Sequence, residues 1–357
     1  MFAESEAEDA QHAFKDIPVI DLANISNNDT AARKALAREI RDACMNVGFF
    51  YVKNHGVSES VIQDAFSNSK KFFALPLDAK MKIENKTTPN FKGYSPLLSG
   101  NNDPNNKGDL QEGFEFGWED PPVEAQDIAN QNVTPKENGN NDGVMAGANV
   151  WPEELPEFRL ASLRYYHALV NLGKSLFPMF ALALGLEDNF FEDKTRHSAA
   201  LMRMLYYPPQ TGPVDDRIIG IGAHTDWEAS TFLITCLIRL LLEQCFTILW
   251  QEPGIQALQV LNAKKEWINA PPIPGTFVVN LGDQLARWTN DIFKSTVHRA
   301  INRSGVERYS IPLFFGTDYG VRLEPIPGCV SSSRPMKYEV ITAGEYVKAK
   351  LAETYGH

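Results

Sequence analysis

His224 and Asp226 stand one residue apart in Gly222-Ala223-His224-Thr225-Asp226-Trp227. In an extended strand alternate side chains share a face, so this imidazole and carboxylate point the same way while Thr225 points opposite. Two ligands on one rigid face can take neighbouring coordination positions of one metal ion. A second histidine, His298, lies far downstream in the strand-like run Ser295-Thr296-Val297-His298-Arg299-Ala300. Two histidines and one carboxylate suit a facial non-heme iron(II) centre that keeps positions open for a cosubstrate and oxygen. Zinc hydrolysis is the other reading of the same donors, because three ligands can leave zinc one open position. No HExxH helix places a general base beside them. Taken singly, His-x-Asp is a weak signal; a strand histidine hydrogen-bonded to a nearby acid explains it as well.

Arg308-Tyr309-Ser310 shifts the balance, since the same alternation puts Arg308 and Ser310 on one face. A guanidinium with a hydroxyl beside it is a fork for one end of a dicarboxylate. Arg308 follows His298 by 10 positions, so adjoining strands of one barrel could set it deeper than the metal.

The elements that must position these residues are legible in outline. Val19 lies in a short strand spanning 17–22. Asp29 or Thr30 caps a helix with Leu36, Ile40, Ala43 and Val47 at helical spacing, which Gly48 stops. Phe49 to Val52 is a buried strand, His55 belongs to a turn, and Ser58 caps a second helix. Leu160, Leu163, His167, Leu169, Leu172, Leu176, Phe180 and Leu184 mark a long amphipathic helix in which His167 is packed. From 199 onward short strands dominate: 199–207, 218–223, 258–261, 276–281, 295–301 and 307–315. Their turn signals and spacing point to a sandwich or barrel rather than a parallel sheet. Loops are expected from about 85 to 150, where Asn and Gly accumulate.

Composition limits the function classes. The 357 residues, 43% hydrophobic and 22% charged, describe a globular chain with a large core. A net charge of −11 argues against nucleic acid, whose phosphates require lysine and arginine. Cys44, Cys236, Cys245 and Cys329 form no disulfide-like framework, and no signal sequence is evident, so the cytoplasm is the expected location. The apolar run 229–250 contains Arg239, Glu243 and Gln244, which argue against a membrane span.

Several motifs together resemble the isopenicillin N synthase-like family of iron(II)/2-oxoglutarate-dependent dioxygenases. They are HTDWE at 224–228, KSTVHRAINR at 294–303, RYSIPLFF at 308–315 and NLGDQLARWTND at 280–291. In the N-terminal half, IPVIDLA at 17–23, ACMNVGFFYVKNHGV at 43–57 and KKFFALP at 70–76 agree. The resemblance implies a mainly β fold with helical support and a double-stranded β-helix (jelly roll) core. It implies that His224, Asp226 and His298 hold Fe(II), and that Arg308 and Ser310 hold the distal carboxylate of 2-oxoglutarate. Tyr207 resembles a tyrosine that assists cosubstrate binding, although Leu205 stands where relatives often carry Asn. The implied reaction consumes 2-oxoglutarate and O2 and oxidises a C–H bond of a small molecule, as in fungal relatives that tailor natural products. Phe91, Tyr94, Phe116, Trp227 and Phe315 are candidates for the substrate face, and core packing is the plainer role for most of them. An oxidase that does without 2-oxoglutarate, or an inactive metal-binding relative, are the alternatives.

The expected organisation is an acidic disordered tail over 1–15, an N-terminal α/β region over 16–125 and a flexible loop over 126–150. A jelly-roll core over 151–328 and a C-terminal helix over 329–357 follow. One departure stands out. Ser230 to Thr235 and Cys245 to Gln251 are two versions of the strand that follows HTD, so 230–245 reads as an insertion. Removing those 16 residues shortens the 71 between Asp226 and His298 to 55 and restores HTDWEAFTILWQEPG.

Overall fold

The computed structural model describes residues 13–99, 109–120, 147–198, 200–210, 220–225, 244–346 and 349. Asp226 and Trp227 therefore lie outside the described residues, as do 230–243, most of the acidic tail and most of the loop over 126–150.

Helix α1 (Thr30–Asn46) starts where the Asp29 carboxylate accepts a hydrogen bond from the Ala31 amide at 2.8 Å, and it buries Leu36, Ile40 and Ala43. Gly48, at φ +74°, turns the chain out of it; a Cβ there would lie 2.4 Å from the Lys294 carbonyl oxygen, so no other residue fits. Ser58 precedes α2 (Glu59–Phe73), but its hydroxyl contacts Ser60 Oγ at 2.8 Å and makes no cap bond. After the short α3 (Leu77–Met81), the long α4 (Pro156–Ala183) buries the stripe expected of it. His167 on that helix is 1% exposed, with Nε2 2.9 Å from the Glu119 carbonyl oxygen. A short helix, α5, spans Asp283–Trp288. Of the C-terminal helix expected over 329–357, residues 329–342 are not helical, helix begins at 343, and 347–348 and 350–357 lie outside the described residues.

Twelve strands are described. They are β1 (Val19–Asp21), β2 (Phe49–Lys53), β3 (Gly93–Ser95), β4 (Glu112–Gly117), β5 (Ala200–Tyr207) and β6 (Ile221–His224). They continue as β7 (Phe246–Gln251), β8 (Leu258–Leu261), β9 (Trp267–Asn269), β10 (Thr276–Leu281), β11 (His298–Ala300) and β12 (Arg308–Phe315). They form an eight-stranded sheet, β1-β2-β10-β7-β12-β5-β4-β3, and a four-stranded sheet, β6-β11-β8-β9. Two sheets of mostly antiparallel strands, with helices packed on the outer face of the larger one, make the jelly-roll core with helical support that the motifs imply. Among the described strands the pairings are antiparallel except that of β1 with β2, which is parallel.

The two faces of the large sheet differ, and strand alternation assigns every residue to one of them. Phe114, Met202, Met204, Ile311, Leu313 and Phe315 join the main core with α2 and α4. Ring contacts mark that helix side: Phe114 to Phe158 at 5.1 Å and Phe315 to Phe177 at 5.5 Å. Each such buried side chain stabilises the fold by roughly 1.5–3 kcal/mol. The opposite, inner face looks toward the small sheet, where Phe49, Tyr51 and Val278 pack with Leu258 and Val260.

Strand β7 occupies the centre of the large sheet, with Leu249 facing Val278 on β10 and Pro312 on β12. The later of the two strand versions, Phe246–Gln251, is thus a strand of the large sheet, whereas the earlier one lies outside the described residues. Among the described residues no helix is long and apolar enough to cross a membrane.

Candidate active site

Strands β6 and β11 run antiparallel, and His298 sits directly opposite His224. The register slips between His298 and Ala300, so β6 bulges beside its histidine, a distortion that re-aims a side chain. The imidazole centroids are 4.4 Å apart with planes at 49°. His224 Nδ1 is 2.7 Å from the Gly222 carbonyl oxygen, and His298 Nδ1 is 3.1 Å from that of Thr296. A carbonyl only accepts, so each Nδ1 carries the hydrogen and each Nε2 carries the lone pair. That tautomer, held by the backbone, is the one in which histidine ligates a metal through Nε2. Phe49 from the large sheet stands edge-on to His298 at 5.1 Å. Thr225 Oγ1 donates to Asp283 Oδ2 at 3.2 Å. Asp226, the expected third ligand, lies outside the described residues, and no group of three metal-binding side chains forms among those described.

Arg308, Ser310 and Tyr207 meet on the inner face of the large sheet. Arg308 is in register with Tyr207 across β12 and β5. Arg308 Nη1 lies 3.5 Å from Ser310 Oγ, which lies 3.4 Å from Tyr207 Oη; the guanidinium carbon sits 4.9 Å from the tyrosine ring centre. All three residues are at most 2% exposed. The internal contacts are long, and Arg308 Nε is buried with no hydrogen-bond partner. Among the described residues no carboxylate forms an ion pair with Arg308. Glu252 feels the charge of Arg308 without pairing to it. A buried guanidinium with no ion-pair partner is costly, and it matches in shape and charge a ligand carboxylate gripped by two parallel hydrogen bonds. The donor set therefore fits both groups implied by the motifs: imidazole Nε2 atoms for a divalent metal, and a guanidinium, a hydroxyl and a phenol for a carboxylate.

The aromatic candidates divide differently. Tyr94, Phe116 and Phe315 face the helices, not the inner face: Tyr94 lies 6.2 Å from Phe72, Phe116 5.1 Å from Trp151, and Phe315 packs on Phe177. They are core residues. Phe91 is half-buried at φ +57° in a loop, and Trp227 is outside the described residues.

Two family models match the chain: a non-haem dioxygenase N-terminal model over residues 17–154 and the 2OG-Fe(II) oxygenase superfamily model over 242–317. The second match begins after His224, downstream of most of the doubled segment. The chain is 34% identical to the 2-oxoglutarate-Fe(II) type oxidoreductase hxnY of Emericella nidulans, over 95% of this chain and 90% of that one. It is 31% identical to a homoarginine-6-hydroxylase of Oryza sativa, over 96% of this chain and 98% of that one. Among solved structures, a full-length Neurospora crassa protein in complex with alpha-KG and thymine is similar, with TM-score 0.75 and 28% identity, covering 94% of this chain and 96% of that one. By its motifs, its two-sheet core and relatives that match it nearly end to end, the chain belongs to the 2-oxoglutarate-Fe(II) oxygenase family, whose members are dioxygenases using Fe(II), 2-oxoglutarate and O2.

Proposed function

We propose that His224, Asp226 and His298 hold the Fe(II) and that Arg308, Ser310 and Tyr207 receive the distal carboxylate of 2-oxoglutarate. When bound, the metal and cosubstrate supply oxidative decarboxylation of 2-oxoglutarate to succinate and CO2, coupled to oxidation of a substrate C–H bond. The chain's own part is positioning. Backbone carbonyls hold the two imidazoles in one tautomer, and the buried donors hold the cosubstrate in one orientation out of water. The observation that carries this reading is Arg308, sealed in the inner face with its Nε unpartnered and, among the described residues, no carboxylate within ion-pair distance.

The substrate is a small organic molecule, in keeping with the relatives' names, and natural-product tailoring is the role proposed for its hydroxylation, desaturation or rearrangement. Buried free thiols at Cys44, Cys245 and Cys329 support a reducing, cytoplasmic location. Residues 230–245 are proposed to be an insertion, of the kind an unspliced intron leaves, because β7 already supplies the strand that they duplicate. A transcript encoding all 16 residues and yielding active enzyme would end that idea.

Anaerobic titration of the Fe(II)-loaded chain with 2-oxoglutarate tests the site assignment. Growth of the charge-transfer absorption of the chelate is expected. A folded, iron-loaded chain that gives none, and forms no succinate, would favour the oxidase alternative.

A further inference from the structure

The inner face of β5 carries more than Tyr207. Counting back by twos, Leu205 and Arg203 share its side, because Met202 and Met204 point into the helical core. Arg203 lies about 13 Å along the strand from Tyr207, at roughly 3.3 Å per residue, so the two side chains mark separate positions on one face.

Arg203 is buried, and its Nε donates to Glu115 Oε1 at 2.6 Å; the side chains are 8% and 0% exposed. The two residues are in register across β4 and β5. Glu115 is held from behind, since Ser95 Oγ donates to its Oε2 at 2.9 Å and Asn85 Nδ2 donates to Ser95 Oγ at 3.0 Å. Burial raises the Glu115 carboxyl from its ordinary value, while Arg203 and Ser95 pull it back. The guanidinium passes close to Gly113, where an added Cβ would be 3.1 Å from Nε and 3.2 Å from Nη2. Lys92, on the same wall, donates to the Gly147 carbonyl at 2.7 Å. Both oxygens of Glu115 are thus engaged, whereas neither Nη of Arg203 makes a hydrogen bond among the described residues.

We propose that the Nη groups of Arg203, backed by Glu115, are the substrate-binding donors of this oxygenase, and that they take a carbonyl oxygen of an uncharged ligand such as a lactam or cyclic imide. This deepens the reading above and rests on it, because it takes the inner face as the side where substrate enters. The contrast with Arg308 sets the ligand class. A guanidinium with no counter-charge calls for an anion; one already neutralised by a fixed carboxylate offers hydrogens but repels a second carboxylate through its partner.

The test is equilibrium titration of the anaerobic, Fe(II)-loaded chain with thymine and 2-pyridone as neutral carbonyl probes and benzoate as an anion of similar size. 2-Oxoglutarate is titrated in parallel. Wild-type chain is expected to bind at least one neutral probe, and more tightly than benzoate. Arg203→Met should weaken that binding by about 10-fold or more, as for loss of hydrogen bonds from a charged donor. Its 2-oxoglutarate affinity should stay within about twofold, because the two sites are well separated. If Arg203→Met does not fold, Arg203→Met with Glu115→Met removes both charges and leaves an apolar pair that cores accept. That double variant should bind 2-oxoglutarate and lose the neutral probe. Undiminished probe binding in either variant, tighter binding of benzoate, or no neutral probe bound by wild-type chain overturns the proposal while leaving the 2-oxoglutarate site standing. Failure of wild-type chain to bind 2-oxoglutarate brings down the underlying reading and this one together.

Discussion

Lys80 and Arg308 are both cations sealed within the protein, and their surroundings are opposite. On the helix side of the large sheet, Lys80 Nζ donates to Glu112 Oε2 at 2.6 Å and to the Phe73 carbonyl at 3.0 Å. Tyr94 Oη completes the set with a 2.7 Å bond to the same carboxylate oxygen. On the inner face Arg308 has one long contact, an unpartnered Nε and no acid beside it among the described residues. Arg203 falls between them, with its charge balanced and its Nη hydrogens open. Around Lys80, which serves the fold, the protein supplies both an acid and a carbonyl. Where, on the reading proposed here, it serves a ligand, donors are left over.

That contrast can be broken in order of effect. His224→Ala removes one of two imidazoles and is expected to abolish iron retention, measured as bound metal after gel filtration. Arg308→Met should keep its iron, and equal metal loss in both would dissolve the division between metal and carboxylate residues. Lys80→Met strands the buried Glu112 carboxylate and should cost about 3–5 kcal/mol in chemical denaturation. Arg308→Met breaks no ion pair, so it should cost far less stability than Lys80→Met while 2-oxoglutarate binding weakens by roughly 1.5–3 kcal/mol, about 10- to 100-fold. Should Arg308→Met destabilise as Lys80→Met does, Arg308 belongs with the structural charges.

The smallest effect concerns His167, a half-satisfied case whose Nδ1 is buried with no partner. Burial lowers its pKa from the ordinary value, against the pull of the Glu119 carbonyl. The unfolded chain therefore takes up the proton first, so the stabilisation holds above about pH 6.5 and is lost as pH falls through the folded value. His167→Phe should flatten the loss of stability between pH 7 and 5. His55, lowered by burial in the same direction, leaves part of the slope in place. An unchanged slope in the variant would mean that His167 is protonated in the fold without cost.

Periodicity reads well where one side of an element meets water. Helix α1 and its Asp29 cap follow from the spacing of Leu36, Ile40 and Ala43. It fails on strands buried at every position, such as β4 and β12, where alternation yields two faces and no way to tell inner from outer. Tyr94, Phe116 and Phe315 were therefore open candidates for the site until packing against the helices assigned them to the core. Ser58 shows the same gap at short range: it precedes its helix as expected, but its hydroxyl goes to Ser60.

What the sequence by itself determined is the donor inventory and the local pairing of Arg308 with Ser310, because alternation along one strand puts them on one face whatever the rest of the chain does. Asp226, expected beside His224 by the same rule, lies outside the described residues. Tertiary structure alone decided that His298 stands across from His224, that Arg308 meets Tyr207 across two strands, and that Lys80 is ion-paired to Glu112 while no described carboxylate lies within ion-pair distance of Arg308. Those facts depend on which strands become neighbours and which face turns inward. Contacts between residues far apart in the chain settle both, and no local pattern encodes them.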